Sequence, residues 1–154
     1  MTAITERVSL DRQGRIAVVT VDNPPVNALG VAVRRGLRDG VAAALADPWV
    51  DAIVIACADR TFIVGADITK FGKPPKAPGL HEVLAAVESA PKPVVAAIHG
   101  TALGGGLEVA LACHYRVAVK TRPLRPARGQ ARPAAGRRGH PGCRAWWASR
   151  RRCR

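Results

Sequence analysis

The sequence predicts an α/β fold in which strands and amphipathic helices alternate over residues 1–120. Two apolar runs, residues 50–58 and 94–98, consist mostly of β-branched residues and alanine, which is typical of strands buried in a parallel sheet. Residues 31–46 place apolar side chains four apart with arginines between them, which predicts an amphipathic helix. A strand, a helix and a strand in this order favour parallel pairing with a right-handed crossover.

The remaining elements follow from local patterns. Residues 8–10 and 16–21 predict a hairpin around a polar turn at 11–14, and the prolines at 24 and 25 end its second strand, because proline lacks the N–H that a ladder needs. Residues 60–68 predict a short strand that ends in Gly-Ala-Asp and leads into a loop rich in lysine and proline. We expect helices over residues 80–90 and 107–113 and a strand over 115–119.

The last 34 residues differ in composition from everything before them. Residues 1–120 hold thirteen Lys and Arg against eleven Asp and Glu, whereas residues 121–154 hold eleven Arg and no acidic residue or lysine. This segment also lacks Ile, Val and Phe, so it cannot form a core. We therefore expect residues 121–154 to be a disordered low-complexity tail. Its sequence would come either from a gene read in the wrong frame or from a truncation of the C-terminus. An arginine-rich nucleic-acid-binding arm is the rival, and the absence of lysine counts against it.

Composition excludes several other classes of protein. The N-terminus has no continuous apolar segment of the kind found in signal peptides, and no run reaches the roughly 18 apolar residues of a membrane span. Cys57 and Cys113 lie in apolar runs without CxxC spacing, which favours small core residues in a reducing, cytoplasmic compartment. A zinc site from His99, Cys113 and His114 is disfavoured, since the adjacent side chains of Cys113 and His114 point to different faces of a helix and no fourth ligand is evident.

The segment from His99 to Cys113 has the strongest functional signal. Gly104, Gly105 and Gly106 allow positive φ angles and close approach to a ligand, and a helical pattern follows them directly. A helix start has N–H groups without intrahelical partners and the positive end of the helix dipole, which suits an anion or a carbonyl oxygen gaining charge. Glu108 lies one turn into this helix among apolar residues. Taken alone, the pattern favours a glycine turn followed by one exposed glutamate.

Three separated motifs, in the right order, resemble the enoyl-CoA hydratase/isomerase (crotonase) family. They are Pro-Pro-Val-Asn-Ala-Leu at 24–29, Phe-Ile-Val-Gly-Ala-Asp-Ile at 62–68, and His-Gly-Thr-Ala-Leu-Gly-Gly-Gly-Leu-Glu at 99–108. The first of them and Phe-Gly-Lys-Pro-Pro at 71–75 look like the hydratase part of multifunctional fatty-acid β-oxidation proteins. The resemblance covers residues 1–120 and implies an incomplete crotonase-like spiral of ββα units.

The resemblance also implies a site. The backbone amides of Ala66 and Gly105 would hold the thioester oxygen of an acyl-CoA, and Glu108 matches the first of two catalytic glutamates that handle water and its proton. Lys70 and Lys73 are candidate phosphate partners. The expected substrate-lining residues are Val26, Ala28, Val64, Ala66, Asp67, Ile68, Thr69 and Gly105. Asp67 is equally a capping residue for the next turn. Acyl-CoA would be the substrate, with no cofactor and no metal.

The resemblance breaks down at the second glutamate, whose position falls at Arg128. We therefore expect the parent protein to be a hydratase, assembled as a homo-oligomer or fused to a hydroxyacyl-CoA dehydrogenase half, and this chain to be weakly active or inactive. Isomerisation, dehalogenation and thioester hydrolysis use the same amides with other acid–base groups and stay open. A dinucleotide site is disfavoured because GxGxxG spacing is absent.

Overall fold

The computed structural model describes residues 1–65 and 77–119, and within these ranges it contains eight strands and three helices. The strands are β1 (Thr2–Thr5), β2 (Val8–Gln13), β3 (Ile16–Val21), β4 (Ala52–Cys57), β5 (Thr61–Val64), β6 (Val94–Ile98), β7 (Thr101–Leu103) and β8 (Tyr115–Ala118). The helices are α1 (Val31–Ala46), α2 (Leu80–Glu88) and α3 (Gly105–Ala112). The predicted α/β class is confirmed.

The described strands form two sheets. The larger has the order β1-β2-β3-β4-β6-β8 and is antiparallel up to β3 and parallel from β3 to β8. The smaller pairs β5 with β7 in parallel. The described part of the chain contains three two-strand, one-helix units, namely β2-β3-α1, β4-β5-α2 and β6-β7-α3. In the last two units the first strand joins the large sheet and the second joins the small one.

One continuous core lies between the large sheet and the helices. The inward side chains of β3 and β4, such as Val19, Ile53 and Ile55, are fully buried against apolar residues of α1 and α2. Phe62 and Ile63 on β5 extend this core toward α3, where Val109 and Ala110 are fully buried. The second and third ββα units therefore share one apolar core.

Several boundaries differ from those predicted. The hairpin turns at Gly14, which has a φ of +63°, so that β2 includes residues 11–13, which were expected to lie in the turn. Strands β1 and β7 were not predicted. Helix α3 begins at Gly105 rather than 107. Strand β4 is fully buried on one face only, since Val54 and its neighbours on the other face remain partly exposed.

Two cations lie against helix C-termini. Lys92 Nζ donates to the carbonyl oxygens of Ala44, Leu45 and Asp47 at 3.3, 3.0 and 2.7 Å, at the end of α1. The Arg116 guanidinium donates to the carbonyl oxygen of Cys113 at 2.9 Å, at the end of α3. Both satisfy carbonyl groups that have no intrahelical partner and face the negative end of the helix dipole.

Among the described residues, the large side chains of Trp49 and His81 are exposed. Trp49 is 64% exposed in the loop after α1. His81 is exposed on α2. Among the residues that the structure describes, no helix combines the length and apolar character that a membrane span requires.

Candidate functional site

The ends of β5 and β7 meet at one edge of the small sheet. Because the two strands are parallel, with Val64 opposite Leu103, the residues that follow them lie side by side. These are Gly65 and Gly104, with φ angles of +68° and +50°. A Cβ on Gly104 would lie 3.6 Å from the Gly65 Cα, and a Cβ on Gly65 would lie 3.4 Å from the Leu103 carbonyl oxygen. The two glycine turns therefore lie so close together that a single methyl group on either one would fill the space between them.

Helix α3 begins directly after one of these turns. Gly104 precedes it, and Gly105 is its first residue, so the Gly105 N–H is among the four that a helix leaves without an internal partner. Gly106 allows the helix start to lie against β5, because a Cβ there would lie 2.0 Å from the Ile63 carbonyl oxygen. The sequence therefore folds here into a helix start fixed close to the end of a strand.

Glu108 lies in the first turn of α3 and is exposed. It follows Gly105 by three residues, which puts both on one side of the helix, and helical side chains lean toward the N-terminus. Within the described ranges, the Glu108 carboxylate has no hydrogen bond or ion pair, whereas Val109 and Ala110 behind it are fully buried. The carboxylate is thus presented to solvent beside the helix start.

A loop from Asp22 to Gly30 packs against the same edge. The Leu29 N–H donates to the Gly65 carbonyl oxygen at 2.8 Å. A Cβ on Gly105 would lie 2.9 Å from the Leu29 Cδ1, so the Leu29 side chain packs closely against the start of α3. Val26 in this loop is 39% exposed, and Ala28 is half-buried.

The structure thus brings together four of the predicted site residues around one edge, namely Ala28, Val64, Gly105 and Glu108, with Val26 on the loop beside them. Ala66, Asp67, Ile68 and Thr69 lie outside the described residues, as do Lys70, Lys73 and Arg128. The roles given to all of these residues stay predictions.

Cys113 and His114 are engaged separately. The Cys113 thiol is buried at the end of α3 and donates to the Val109 carbonyl oxygen at 3.2 Å, whereas Nδ1 of His114 accepts from the Val94 N–H at 3.1 Å. Burial raises the pKa of the Cys113 thiol to about 12, and it does the same for Cys57. Nε2 of His99 lies 2.7 Å from the Asp59 carbonyl oxygen, which makes His99 a hydrogen-bonding residue at a strand end.

Sequence reasoning did not single out Asn27, which is the buried polar residue among those described, at 1% exposure. Its side chain makes three hydrogen bonds, and its φ is +53°. An asparagine between Val26 and Ala28 in an apolar stretch was the available signal, because a buried amide needs partners.

Comparison with known proteins agrees with this geometry. Residues 11–125 match the family model described as enoyl-CoA hydratase/isomerase. A peroxisomal bifunctional enzyme of Danio rerio is 52% identical over 103 residues, which are 67% of this chain and 14% of that protein. A probable enoyl-CoA hydratase of Bacillus subtilis (strain 168) is 40% identical over 124 residues, covering 76% of this chain and 48% of that protein.

Solved structures show the same fold. An enoyl-CoA hydratase/carnithine racemase from Magnetospirillum magneticum superimposes with a TM-score of 0.68 at 33% identity. The match covers 73% of this chain and 46% of that one, so the chain spans about half the length of the structure it matches and less of the bifunctional relatives. The family resemblance of the three motifs is confirmed, and the chain belongs to the enoyl-CoA hydratase/isomerase family.

Proposed function

We propose that the edge formed by β5, β7 and α3 binds an acyl-CoA thioester and supports addition of water to a 2-enoyl-CoA. The observation that carries the proposal is the close approach of Gly65 and Gly104 at the ends of parallel strands. Each glycine precedes one of the two amides expected to hold the thioester oxygen, those of Ala66 and Gly105. The names of the relatives support hydratase chemistry.

The chemistry follows from where charge develops. When the oxygen of water attacks C3 of the enoyl group, the π electrons move toward C1 and the thioester oxygen becomes enolate-like. Preorganised N–H donors aimed at that oxygen stabilise it by about 3 kcal/mol each. Gly105 supplies such a donor at a helix start, where the dipole also favours negative charge.

Glu108 is the proposed general base. Its exposed carboxylate on the first turn of α3 would accept a proton from water as the new C–O bond forms. The proton that C2 requires must come from a second acid, and the family position for that group holds Arg128 here. We therefore expect the chain by itself to hydrate enoyl-CoA slowly or not at all.

Other predictions belong with this proposal. The substrate is an acyl-CoA and no cofactor is required; Val26, Ala28, Val64 and residues 66–69 line its groove. A cytoplasmic location, and assembly as a homo-oligomer or beside a hydroxyacyl-CoA dehydrogenase half, also stay predictions. The relative in Danio rerio is by name peroxisomal and bifunctional.

The test is hydration of crotonyl-CoA by the purified chain, followed by loss of absorbance of the conjugated thioester. Where the unsubstituted chain has a residual rate, the Glu108→Gln variant should lower it by about 100-fold or to background, since general-base catalysis contributes roughly that factor. Binding of butyryl-CoA, which has no double bond, measured by calorimetry, should be unchanged in this variant. Absence of binding by the unsubstituted chain would overturn the proposal, and an unaltered rate in the variant would remove Glu108 from it.

A further inference from the structure

Arg34 lies in the first turn of α1, where a positive charge is unfavourable. The N-terminus of a helix carries the positive end of the helix dipole, so a cation there destabilises the helix. The half-buried Arg34 side chain reaches back out of the helix, and its Nη1 donates to the Leu29 carbonyl oxygen at 3.0 Å. Contacts outside α1, rather than the stability of α1, therefore account for an arginine at this position.

The same guanidinium binds the entry to α2. Its Nε donates to the carbonyl oxygen of Pro78 at 2.8 Å, and Pro78 is buried. The N–H of that peptide unit belongs to Gly79, and it donates to Glu82 Oε1 at 2.8 Å. Because a peptide unit is planar, these two bonds hold it from both edges, one from α1 and one from within α2. The position of Leu80, the first residue of α2, is fixed with it.

Leu29 is likewise held at both of its backbone groups. Its N–H donates to the Gly65 carbonyl oxygen at 2.8 Å, and its carbonyl oxygen accepts from Arg34. Hydrogen bonds from a charged donor are stronger than those between neutral groups. Arg34 thus joins the loop before α1 to the entry of α2.

The two segments that Arg34 joins meet again at Gly105. A Cβ on Gly105 would lie 2.9 Å from Leu29 Cδ1 and 2.9 Å from Leu80 Cδ2. The two leucine side chains therefore cover the side of Gly105 on which another residue would carry its side chain. Gly105 begins α3, and its N–H is one of the donors proposed for the thioester oxygen.

We infer that Arg34 is a positioning residue for the Gly105 donor, acting through Leu29 and Leu80. This inference rests on the proposed function. A hydrogen bond weakens steeply as its donor angle departs from linearity, so a small displacement of the start of α3 changes how well the Gly105 N–H points at a thioester oxygen. The close approach of Gly106 to Ile63 supports this start from β5, and the two leucines support it from the loop and from α2.

The test observes the Gly105 N–H itself. The full chain is labelled with ¹⁵N and saturated with butyryl-CoA, and the Gly105 amide proton is followed by NMR. A hydrogen bond to the thioester oxygen moves this resonance downfield. The first test variant, Arg34→Met, removes both donors and keeps an apolar stem. The second, Leu80→Ala, leaves the guanidinium in place and removes the side chain that packs on Gly105.

Each test variant has a matched control. Lys92→Met removes a cation that donates to three carbonyl oxygens at the opposite end of α1. Leu84→Ala makes the same truncation one turn further along α2, where the half-buried Leu84 packs against the core. We expect Arg34→Met and Leu80→Ala to lose about half or more of the downfield shift, because the donor angle is no longer fixed, and both controls to keep it.

The outcomes separate the inference from the proposed function. A full downfield shift in either test variant overturns the inference and leaves the proposed function standing. Equal losses in the controls and the test variants also overturn the inference, because general loosening of the fold would then be responsible. No downfield shift in the unsubstituted chain overturns the proposed role of the Gly105 donor and the inference with it. If Arg34→Met does not fold, Leu80→Ala compared with Leu84→Ala decides by itself.

Discussion

At Gly106, a single hydrogen in place of a side chain determines how helix α3 lies on strand β5. A Cβ there would lie 2.0 Å from the Ile63 carbonyl oxygen and 2.7 Å from the Ile63 Cβ, and both belong to a buried strand residue that cannot move aside. Since Gly105 is the preceding residue, the same close approach fixes the start of α3, and with it the Gly105 N–H, against β5. A residue without chemistry of its own thus controls the site geometry.

The Gly106→Ala variant should therefore be severely destabilised. We expect the free energy of unfolding to fall by roughly 3 kcal/mol or more, because the clash involves backbone. Urea denaturation followed by circular dichroism measures this. Gly14→Ala is the matched control: its φ of +63° is strained for alanine, but no atom lies within 4 Å of the added Cβ, so the cost should be about 1 kcal/mol. Equal losses in the two variants would contradict the packing argument.

The thiols of Cys57 and Cys113 should make stability fall at alkaline pH. Burial raises the pKa of each from 9.0 to about 12, so the folded chain keeps protons that the unfolded chain releases above pH 9. The unfolded state then binds fewer protons, and the free energy of unfolding decreases as pH rises from 9 toward 12. Urea titrations at a series of pH values should show a shallower decline in a Cys57→Ala, Cys113→Ala double variant. Parallel declines would show that other groups are responsible.

Site residues were predictable where the residue itself is unusual for its surroundings. Three adjacent glycines and a glutamate in an apolar helix stand out in the sequence, and the structure places Gly105 and Glu108 together at a helix start. Asn27 did not stand out, because the carbonyl groups that justify it belong to Ala58 and Thr61, over thirty residues away. A backbone carbonyl group can accept a hydrogen bond whatever its side chain is, so the residue types at 58 and 61 do not reveal that they bind Asn27.

Among the elements, helix α1 shows how a residue distant in sequence can cap the C-terminus of a helix. The last turn of α1 contains no basic residue, yet Lys92, just before β6, reaches three of its terminal carbonyl oxygens. The half-buried position of Lys92 shields these bonds from water. The link joins the end of α1 to the start of the third ββα unit.

The Lys92→Met variant should lower the free energy of unfolding by about 1 to 3 kcal/mol, as charged hydrogen bonds and a favourable dipole contact are lost while the apolar stem is kept. Arg35→Met, on the exposed face of the same helix, is the control and should change stability by less than about 0.5 kcal/mol. Thermal unfolding of both variants tests this. A loss in the control as large as that in Lys92→Met would point to net charge rather than to the three carbonyl contacts.

Helices and strands were predictable where their own residues show an apolar pattern. They were not predictable where a strand forms only because it pairs with another strand. The apolar spacing of residues 31–46 gave the bounds of α1, and the apolar run at 94–98 gave β6. Strand β7 is three residues long and exists because β5 lies beside it, so no local pattern marks it. The start of α3 was placed too late because glycine disfavours helix, and packing of Gly106 against Ile63 overrides that preference.

For the whole molecule, alternation of strands and helices was enough to predict the α/β class. Sheet order was not predictable in detail, because the split between a large sheet and the β5–β7 sheet depends on contacts between successive ββα units. The two sheets matter for the site, since the second strand of each later unit carries a glycine turn to the same edge. Repetition of the unit brings Gly65 and Gly104 close together.

The large sheet ends at β8, which in the described part of the chain pairs only with β6. All four residues of β8 are exposed, and Tyr115 and Val117 are 64% and 65% exposed. Because this edge of β8 has no strand partner among the described residues and presents Tyr115 and Val117 to solvent, it is a template on which another copy can add a strand, so the purified chain should self-associate as its concentration rises. Val117→Lys should therefore reduce light scattering in concentrated solution. Trp49→Lys is the control, because it adds the same charge at a side chain that is 64% exposed but lies outside the sheet, and it should leave the scattering unchanged. If both substitutions reduce light scattering equally, repulsion between like-charged molecules is the cause. If only Val117→Lys reduces it, association of this chain in concentrated solution depends on the edge of β8.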